Sequence, residues 1–179
     1  MTIRLQRTNE RSAVRQVLLD AFDDDGRVAD LAEALDARPD RAGPPIVAEN
    51  EGAIVGVVQL SPGWIDAPAA LVEVLVLSPL GVVPAQQRRG VGRALSNAAL
   101  AEALRRDAPA VFLEGDPGYY RRLGWQEATP RGFSAPSQRI PAPAFQVITL
   151  PAWEPWMVGA LVYNDTFWTH DCVGLRPSG

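Results

Sequence analysis

The spacing of apolar residues predicts two helices near the start of the chain. Apolar side chains recur at intervals of three and four in two successive stretches, at Val14, Val17, Leu18 and Phe22 and then at Val28, Leu31, Ala32 and Leu35. Because this is the repeat of one helix face, each stretch predicts an amphipathic helix. A short strand near residues 3–5 precedes them, and Pro39 follows the second.

Shorter apolar runs predict strands. Residues 46–48 and 54–60 flank the polar turn Glu49-Asn50-Glu51-Gly52, which is typical of a hairpin. Residues 71–77 are apolar on both faces except at Glu73, and residues 110–113 are apolar throughout. Such runs are typical of strands covered on both sides.

The order of the elements predicts a mixed α/β fold. A helix is expected over residues 91–106, a short helix over 119–123, and strands over 125–128 and 145–150. We expect one domain spanning residues 1–179. It includes a proline-rich loop or lid at residues 129–144 and an aromatic-rich C-terminal segment at residues 151–179.

Composition narrows the class of protein. Apolar residues make up 47% and charged residues 21%, as in soluble globular proteins, and the net charge of −4 argues against general nucleic-acid binding. The first residues lack the apolar core of a signal peptide, and no later run reaches membrane length. A single cysteine forms no internal disulfide, so we expect a cytoplasmic protein; with a single histidine beside it, we expect no metal.

The segment between Leu80 and Arg93 carries the most informative chemistry. A strand end leads through Pro84 into a glycine-spaced loop with three arginines, and the loop runs directly into the helix. A helix entered in this way presents free backbone N–H groups and its positive dipole end to an anion. The pattern predicts a site for a phosphorylated cofactor.

Two motifs in this order resemble the GNAT superfamily of acyl-CoA N-acyltransferases. The first is Gln87-x-x-Gly90-x-Gly92 after the strand that ends at Leu80-x-Val82. The second runs from Gly115-Asp116-Pro117 through Tyr120 to Gly124-Trp125. The closing segment, with Trp168, Asp171 and Gly174-Leu175-Arg176, is similar to a bacterial branch of predicted acetyltransferases. The resemblance implies a mixed, mostly antiparallel, twisted sheet with helices on both faces and splayed central strands.

The resemblance also implies where acetyl-CoA binds. Backbone N–H groups of the loop would hold the pyrophosphate, arginines would add forked contacts, and the edge of the preceding strand would pair with the pantetheine arm. The residues concerned are Leu80, Val82, Gln87, Arg88, Arg89, Gly90, Val91, Gly92, Arg93 and Asp116. Two simpler roles stay open: the arginines form a solvated helix start, or Asp116 is only the cap of the short helix.

Catalytic residues follow from the same resemblance. Tyr120 matches the tyrosine that protonates the leaving thiolate, and Glu73 is the first candidate for the base that accepts the amine proton. Glu73 is alternatively a charge at the solvent end of its strand. Glu114 and His170 are further candidates for the base.

The implied activity is transfer of an acetyl group from acetyl-CoA to a primary amine in a ternary complex. The lid and four tryptophans would shape the pocket for the acceptor amine: Trp64, Trp153, Trp156 and Trp168. Packing in the core explains the tryptophans equally well. The chain would act as a monomer or homodimer.

The alternative is a catalytically silent acyl-CoA-binding regulatory module. A P-loop hydrolase is disfavoured because all 17 basic residues are arginine, which leaves no P-loop lysine.

Overall fold

The computed structural model describes residues 1–175. Their contacts divide them into two compact units: the first consists of residues 1–61 and 77–102, and the second of residues 62–76 and the chain from residue 103 onward. The strands β3 (Ala53–Asp66) and β4 (Leu71–Val82) contribute residues to each unit. Organisation as one domain stays a prediction, and residues 176–179 of the aromatic-rich C-terminal segment lie outside the described residues.

The first unit begins with β1 (Thr2–Leu5), α1 (Arg11–Ala21), α2 (Arg27–Asp36) and β2 (Ile46–Asn50). β2 pairs antiparallel with β1 and with the first part of β3. The predicted apolar faces of α1 and α2 are buried together with the strands, in a cluster formed by Val14, Val17, Leu18, Ala29, Ala32, Val47 and Val57. The two helices and the hairpin predicted from spacing are therefore confirmed.

Helix α3 (Val91–Arg105) packs closely on β3 in the first unit. Val91, Leu95 and Ala99 are buried at four-residue intervals, which places them on one face of the helix. A Cβ on Gly56 would lie 2.9 Å from the Cδ1 atom of Leu95, so the absence of a side chain there allows the helix to approach the strand. This contact holds the first turns of α3 against β3.

The second unit is built around β5 (Ala110–Glu114) and β8 (Phe145–Thr149), which pair antiparallel over their whole length. β6 (Gln126–Glu127) lies on the other side of β8. The later part of the unit contains α4 (Pro117–Tyr120), β7 (Phe133–Ser134), β9 (Gly159–Tyr163) and α5 (Asp165–Thr169). β9 pairs antiparallel with the end of β3 and parallel with β7.

β5 runs parallel to β4 through two register pairs, Leu75 with Val111 and Val76 with Phe112. Both strands continue past these pairs, β5 to Glu114 and β4 to Val82. Apart from β4–β5 and β7–β9, the recorded strand pairings are antiparallel. The predicted fold class, a mixed and mostly antiparallel sheet with helices, is confirmed.

Residues 129–144, predicted as a long loop or lid, contain little regular structure, and their role as a lid stays a prediction. The segment contains short 3-10 turns at Thr129–Arg131 and Ala142–Ala144 and the strand β7 between them. Phe133 is 1% exposed, and its ring meets that of Phe112 edge-on at 5.0 Å between centroids. Burial of this ring holds the segment against the sheet despite its proline content.

Two kinds of feature are absent from the part of the chain that the structure describes. Its helices include none with the length and apolar character needed to cross a membrane. Residues 1–175 also contain no group of three or more His, Cys, Asp and Glu side chains arranged for a metal ion.

An ion-pair network at the edge of the first unit predicts a dependence of stability on pH. Arg4 donates to both oxygens of Glu10 at 2.6 and 2.8 Å and to Glu49 at 2.8 Å. The hydrogen bonds from Arg4, helped by the backbone N–H of Arg7, lower the pKa of Glu10 from 4.5 to about 2.

Because the pKa is lowered in the folded state, the stabilisation by Glu10 is present above pH 4.5 and is lost as the pH falls toward 2. We expect the Glu10→Gln variant to show a flatter decline of Tm over this window than the unmodified protein. Glu51→Gln, a change in the exposed turn after β2, is the control. A decline that stays equally steep in Glu10→Gln would refute the assignment.

Candidate functional site

The loop between β4 and α3 is a tight reversal in the first unit. Two residues in it have positive φ, Arg88 at 60° and Gly90 at 85°. The side-chain amide of Gln87 donates back to the carbonyl oxygen of Val82 at 3.0 Å, which ties the loop to the end of the strand. Gln87 is thus a positioning residue for the loop, a role that the sequence motif alone does not reveal.

The first turn of α3 presents unused backbone donors. The first bond within the helix runs from the N–H of Ala94 to the carbonyl of Gly90 at 3.0 Å, so the N–H groups of Val91, Gly92 and Arg93 have no partner inside the helix. A Cβ on Gly90 would meet nothing within 4 Å. The helix therefore begins with an open approach to its positive dipole end, as an anion site requires.

The cationic side chains around this turn face solvent. Arg88, Arg89 and Arg93 are all exposed, which leaves their guanidinium groups accessible to a ligand. In β4, the side chain of Leu80 is half-buried and that of Val82 is 8% exposed. The residues predicted to bind phosphate and pantetheine, from Leu80 to Arg93, therefore all lie in the first unit, along the end of β4, the loop and the first turn of α3.

The second motif forms a short capped helix in the second unit. The Asp116 carboxylate accepts a hydrogen bond from the N–H of Gly118 at 2.8 Å, so Asp116 caps α4. The 3-10 turn Arg121–Leu123 follows, and Gly124, with φ 92°, ends it. The N–H of Trp125 returns to the carbonyl of Tyr120 at 3.2 Å. Capping is the role observed for Asp116, and its contact with a cofactor stays a prediction.

The ring of Tyr120 is held on three sides. It meets the rings of Tyr119 and Trp125 edge-on at centroid distances of 4.9 and 5.9 Å. A Cβ on Gly115 would lie 2.5 Å from its Cε2 atom, so the ring fills the space that a larger residue at position 115 would occupy. Burial raises the pKa of the Tyr120 phenol, with a smaller contribution from Tyr119, so the phenol keeps its proton through neutral pH.

The two glutamates considered as bases occupy different surroundings. Glu73 is exposed on β4, two residues before the first residue that pairs with β5. Glu114 is half-buried at the end of β5, and its Oε2 atom accepts a hydrogen bond from the N–H of Gly174 at 3.1 Å. Burial raises the pKa of the Glu114 carboxyl, while the bond from Gly174 and the charge of Arg139 oppose the rise.

The remaining predicted residues are spread over the second unit. His170 follows α5, and its backbone carbonyl accepts a hydrogen bond from the Cys172 thiol at 3.4 Å. Trp64 is half-buried beside Val162 of β9, whereas Trp156 and Trp168 are 39% and 45% exposed. The Trp153 indole donates to the Met157 carbonyl at 3.2 Å. A shared acceptor pocket for these tryptophans stays a prediction.

Sequence patterns did not reveal a cleft of about 310 Å³ in the first unit, beside α1 and α2. Apolar residues including Val14 and Leu18 line it, and an ion pair of Arg15 with Glu33 at 2.9 Å lies at the cleft. It contains none of the residues predicted for the phosphorylated ligand.

Comparison with known proteins gives a family match over most of the chain. A family model described as an acetyltransferase (GNAT) domain matches residues 2–128. This range includes both sequence motifs and ends just after β6. No curated protein matches the chain.

Two solved structures match over almost the whole length of the chain, and a third matches over a smaller part. A GNAT family N-acetyltransferase from Escherichia coli, in complex with CoA, is 24% identical, with a TM-score of 0.82 over 93% of this chain and 91% of that one. A GNAT family acetyltransferase from Brucella melitensis, in complex with acetyl-CoA, is 28% identical, with a TM-score of 0.73 over 93% and 97%. An aminoglycoside 6'-N-acetyltransferase from Acinetobacter haemolyticus is 18% identical, with a TM-score of 0.57 over 71% and 92%.

Proposed function

We propose that this chain, which belongs to the GNAT acetyltransferase family, transfers an acetyl group from acetyl-CoA to a primary amine. The observation that carries the proposal is the first turn of α3, where glycines and three unused N–H groups leave room for a phosphate. The Brucella melitensis acetyltransferase, which is 28% identical over nearly the same length, is described in complex with acetyl-CoA.

The loop would recognise the donor through charge and shape. Unused N–H groups of Val91, Gly92 and Arg93 would bind the pyrophosphate oxygens, and the helix dipole favours the negative charge. Exposed Arg88 and Arg89 would add forked contacts to phosphate. The end of β4 at Leu80 and Val82 would pair with the amides of the pantetheine arm.

The phenol of Tyr120 would protonate the departing sulfur. Its raised pKa keeps the proton on the oxygen at neutral pH, so the phenol is in the protonated form that a general acid needs. Direct attack by the amine needs no covalent enzyme intermediate, because alignment of the amine and the thioester supplies much of the rate. In this scheme Glu73 or another carboxylate accepts the proton from the amine.

The activity is tested by measuring thiol release from acetyl-CoA across a panel of primary amines, together with CoA binding by calorimetry. We expect CoA binding and an increase of thiol release with at least one amine, with the acetylated amine identified by mass. CoA binding without thiol release for any amine would favour the silent regulatory module. Absence of CoA binding would refute the donor site itself.

Gly90→Ala tests the donor site separately from the chemistry. The added methyl group would stand in the open approach to the first turn of α3, and we expect the Kd for CoA to rise about tenfold, equivalent to ~1.4 kcal/mol. Gly52→Ala is a matched control, because Gly52 also has φ near 80° and open space around it. Both variants carry similar backbone strain, so only the effect on CoA binding should differ. Equal Kd values in the two variants would contradict the assignment.

A further inference from the structure

We propose that the cleft beside α1 and α2 binds a small, neutral, aromatic molecule, and that Gln6 accepts a hydrogen bond from that molecule. The inference is independent of the acetyl transfer proposed above. The residues that line the cleft lie between positions 6 and 59, in the first unit, whereas those predicted to hold acetyl-CoA begin at Leu80. A molecule in the cleft would therefore occupy a second site.

The wall of the cleft between the two helices is apolar and leaves room for a ligand. Val14 and Leu18 of α1 and Ala29 and Ala32 of α2 line it, and each is at most 7% exposed. An apolar cavity of about 150 Å³ is enough to hold benzene. Because the cleft measures about 310 Å³, it has room for a molecule of two fused rings.

The charged side chains at the cleft are paired with one another. The Arg11 guanidinium lies 3.2 Å from the Asp36 carboxylate, and that of Arg15 lies 2.9 Å from the Glu33 carboxylate. Two positive and two negative groups leave the lining with no net charge, so the cleft favours a neutral ligand over an ion. Planar guanidinium groups also stack on aromatic rings, which favours an aromatic ligand over an aliphatic one.

Gln6 provides the acceptor that selects a ligand with a donor group. Its Oε1 atom is buried and has no hydrogen-bond partner among the residues that the structure describes. Gln59, the other amide at the cleft, spans the Ala32 carbonyl and the Asp36 N–H at 3.3 and 3.1 Å, in the orientation that satisfies both of its polar atoms. A buried acceptor without a partner costs free energy, so a ligand N–H or O–H would offset a cost that the protein leaves open.

The backbone at Gln6 is fixed while the side chain is free to turn. The N–H of Gln6 donates to the Pro45 carbonyl at 2.8 Å, which holds the main chain beside the start of β2. The side chain is half-buried, and rotation about its single bonds turns the carboxamide toward a molecule in the cleft. Binding therefore needs a change of side-chain rotamer and no movement of the strand.

Indole and 1-methylindole are the probes that test the site, because both are neutral two-ring aromatics and only indole has an N–H. Calorimetry on the full-length protein should show one indole per chain, bound about tenfold more tightly than 1-methylindole, as expected for one hydrogen bond. Saturating CoA should leave the Kd of indole unchanged. Displacement of indole by CoA would locate the probe in the donor site and overturn the proposal.

Gln6→Met separates the hydrogen bond from the fit of the methyl group. Methionine keeps the length of the side chain and removes the carbonyl acceptor. We expect indole to bind this variant about as weakly as 1-methylindole, whose own Kd should change little. If the tenfold difference between the probes persists in Gln6→Met, it comes from the size of the methyl group, and the role of Gln6 is overturned.

Ala37→Leu tests the location by filling the cleft. Ala37 is exposed at the end of α2 and lines the cleft, and its helical φ of −80° accepts a leucine. Ala13→Leu is the matched control, the same change at an exposed position of α1 outside the lining of this cleft. We expect indole binding to weaken at least tenfold in Ala37→Leu only, with similar Tm values for both variants. Equal affinities in the two variants, or no saturable binding of millimolar indole to the unmodified protein, would overturn the site.

Discussion

Tyr120→Phe is expected to bind CoA with unchanged Kd but to release thiol about 100-fold more slowly than the wild-type enzyme. The substitution removes only the hydroxyl group, and the ring keeps its contacts with Tyr119, Trp125 and Gly115. The loss should appear in kcat, because the proton is needed only when the C–S bond breaks. Steady-state thiol release and calorimetry on the same preparation measure both quantities. If the chemical step limits turnover and kcat is nevertheless unchanged in Tyr120→Phe, Tyr120 is not the acid.

Gly115→Ala is the complementary control, because it leaves the phenol in the chain and moves it. The new Cβ would lie 2.5 Å from Cε2 and 2.9 Å from Cδ2 of Tyr120, so the ring must shift. We expect kcat to fall in Gly115→Ala alone and to change little when the same substitution is added to Tyr120→Phe. This non-additivity would show that the two residues act through one group. Additive losses would indicate a general disturbance of the strand end.

Phe112→Ala is expected to lower the free energy of unfolding by about 3–5 kcal/mol, the range for removing a large core aromatic side chain. The Phe112 ring is fully buried in β5, lies edge-on to Phe133 at 5.0 Å and stacks on Phe145 at 5.7 Å. Its loss leaves a cavity between the strand that carries Glu114 and the segment that carries Phe133. Because total stabilities are typically about 5–15 kcal/mol, the variant should be close to unfolding.

Urea denaturation measures this effect through the midpoint, provided that the slope of the transition is unchanged. Phe112→Leu retains most of the apolar volume and should cost clearly less than the alanine variant. Equal losses in the two variants would mean that aromatic contact, and not the cavity, dominates the stability at this position.

The elements that the sequence predicts well are those whose signal is local. The three- and four-residue spacing of Val14, Val17 and Leu18 specifies a helix face without reference to the rest of the chain, and the structure buries that face. The glycine loop is equally readable, because positive φ at Gly90 and the start of α3 depend on adjacent residues.

What the sequence could not predict depends on distant contacts. Phe133 is a single large apolar residue within a proline-rich segment, and both its contact with Phe112 and the pairing of residues 133–134 with β9 involve residues distant in sequence. The difference in surroundings between Glu73 and Glu114 is also non-local. Glu114 differs from Glu73 because Arg139 and Gly174, far along the chain, cover it.

The exposed arginines around the first turn of α3 affect whether the chain can be acetylated on its own side chains. A guanidinium group stays protonated throughout the pH range in which enzymes work and offers no nucleophilic nitrogen, whereas lysine side chains are themselves primary amines. With no lysine among its 179 residues, the sequence contains no side-chain primary amine that could attack a thioester. Acetylation of a lysine side chain within these 179 residues is therefore excluded, and an acetyl-lysine formed in a mixture with acetyl-CoA lies outside them.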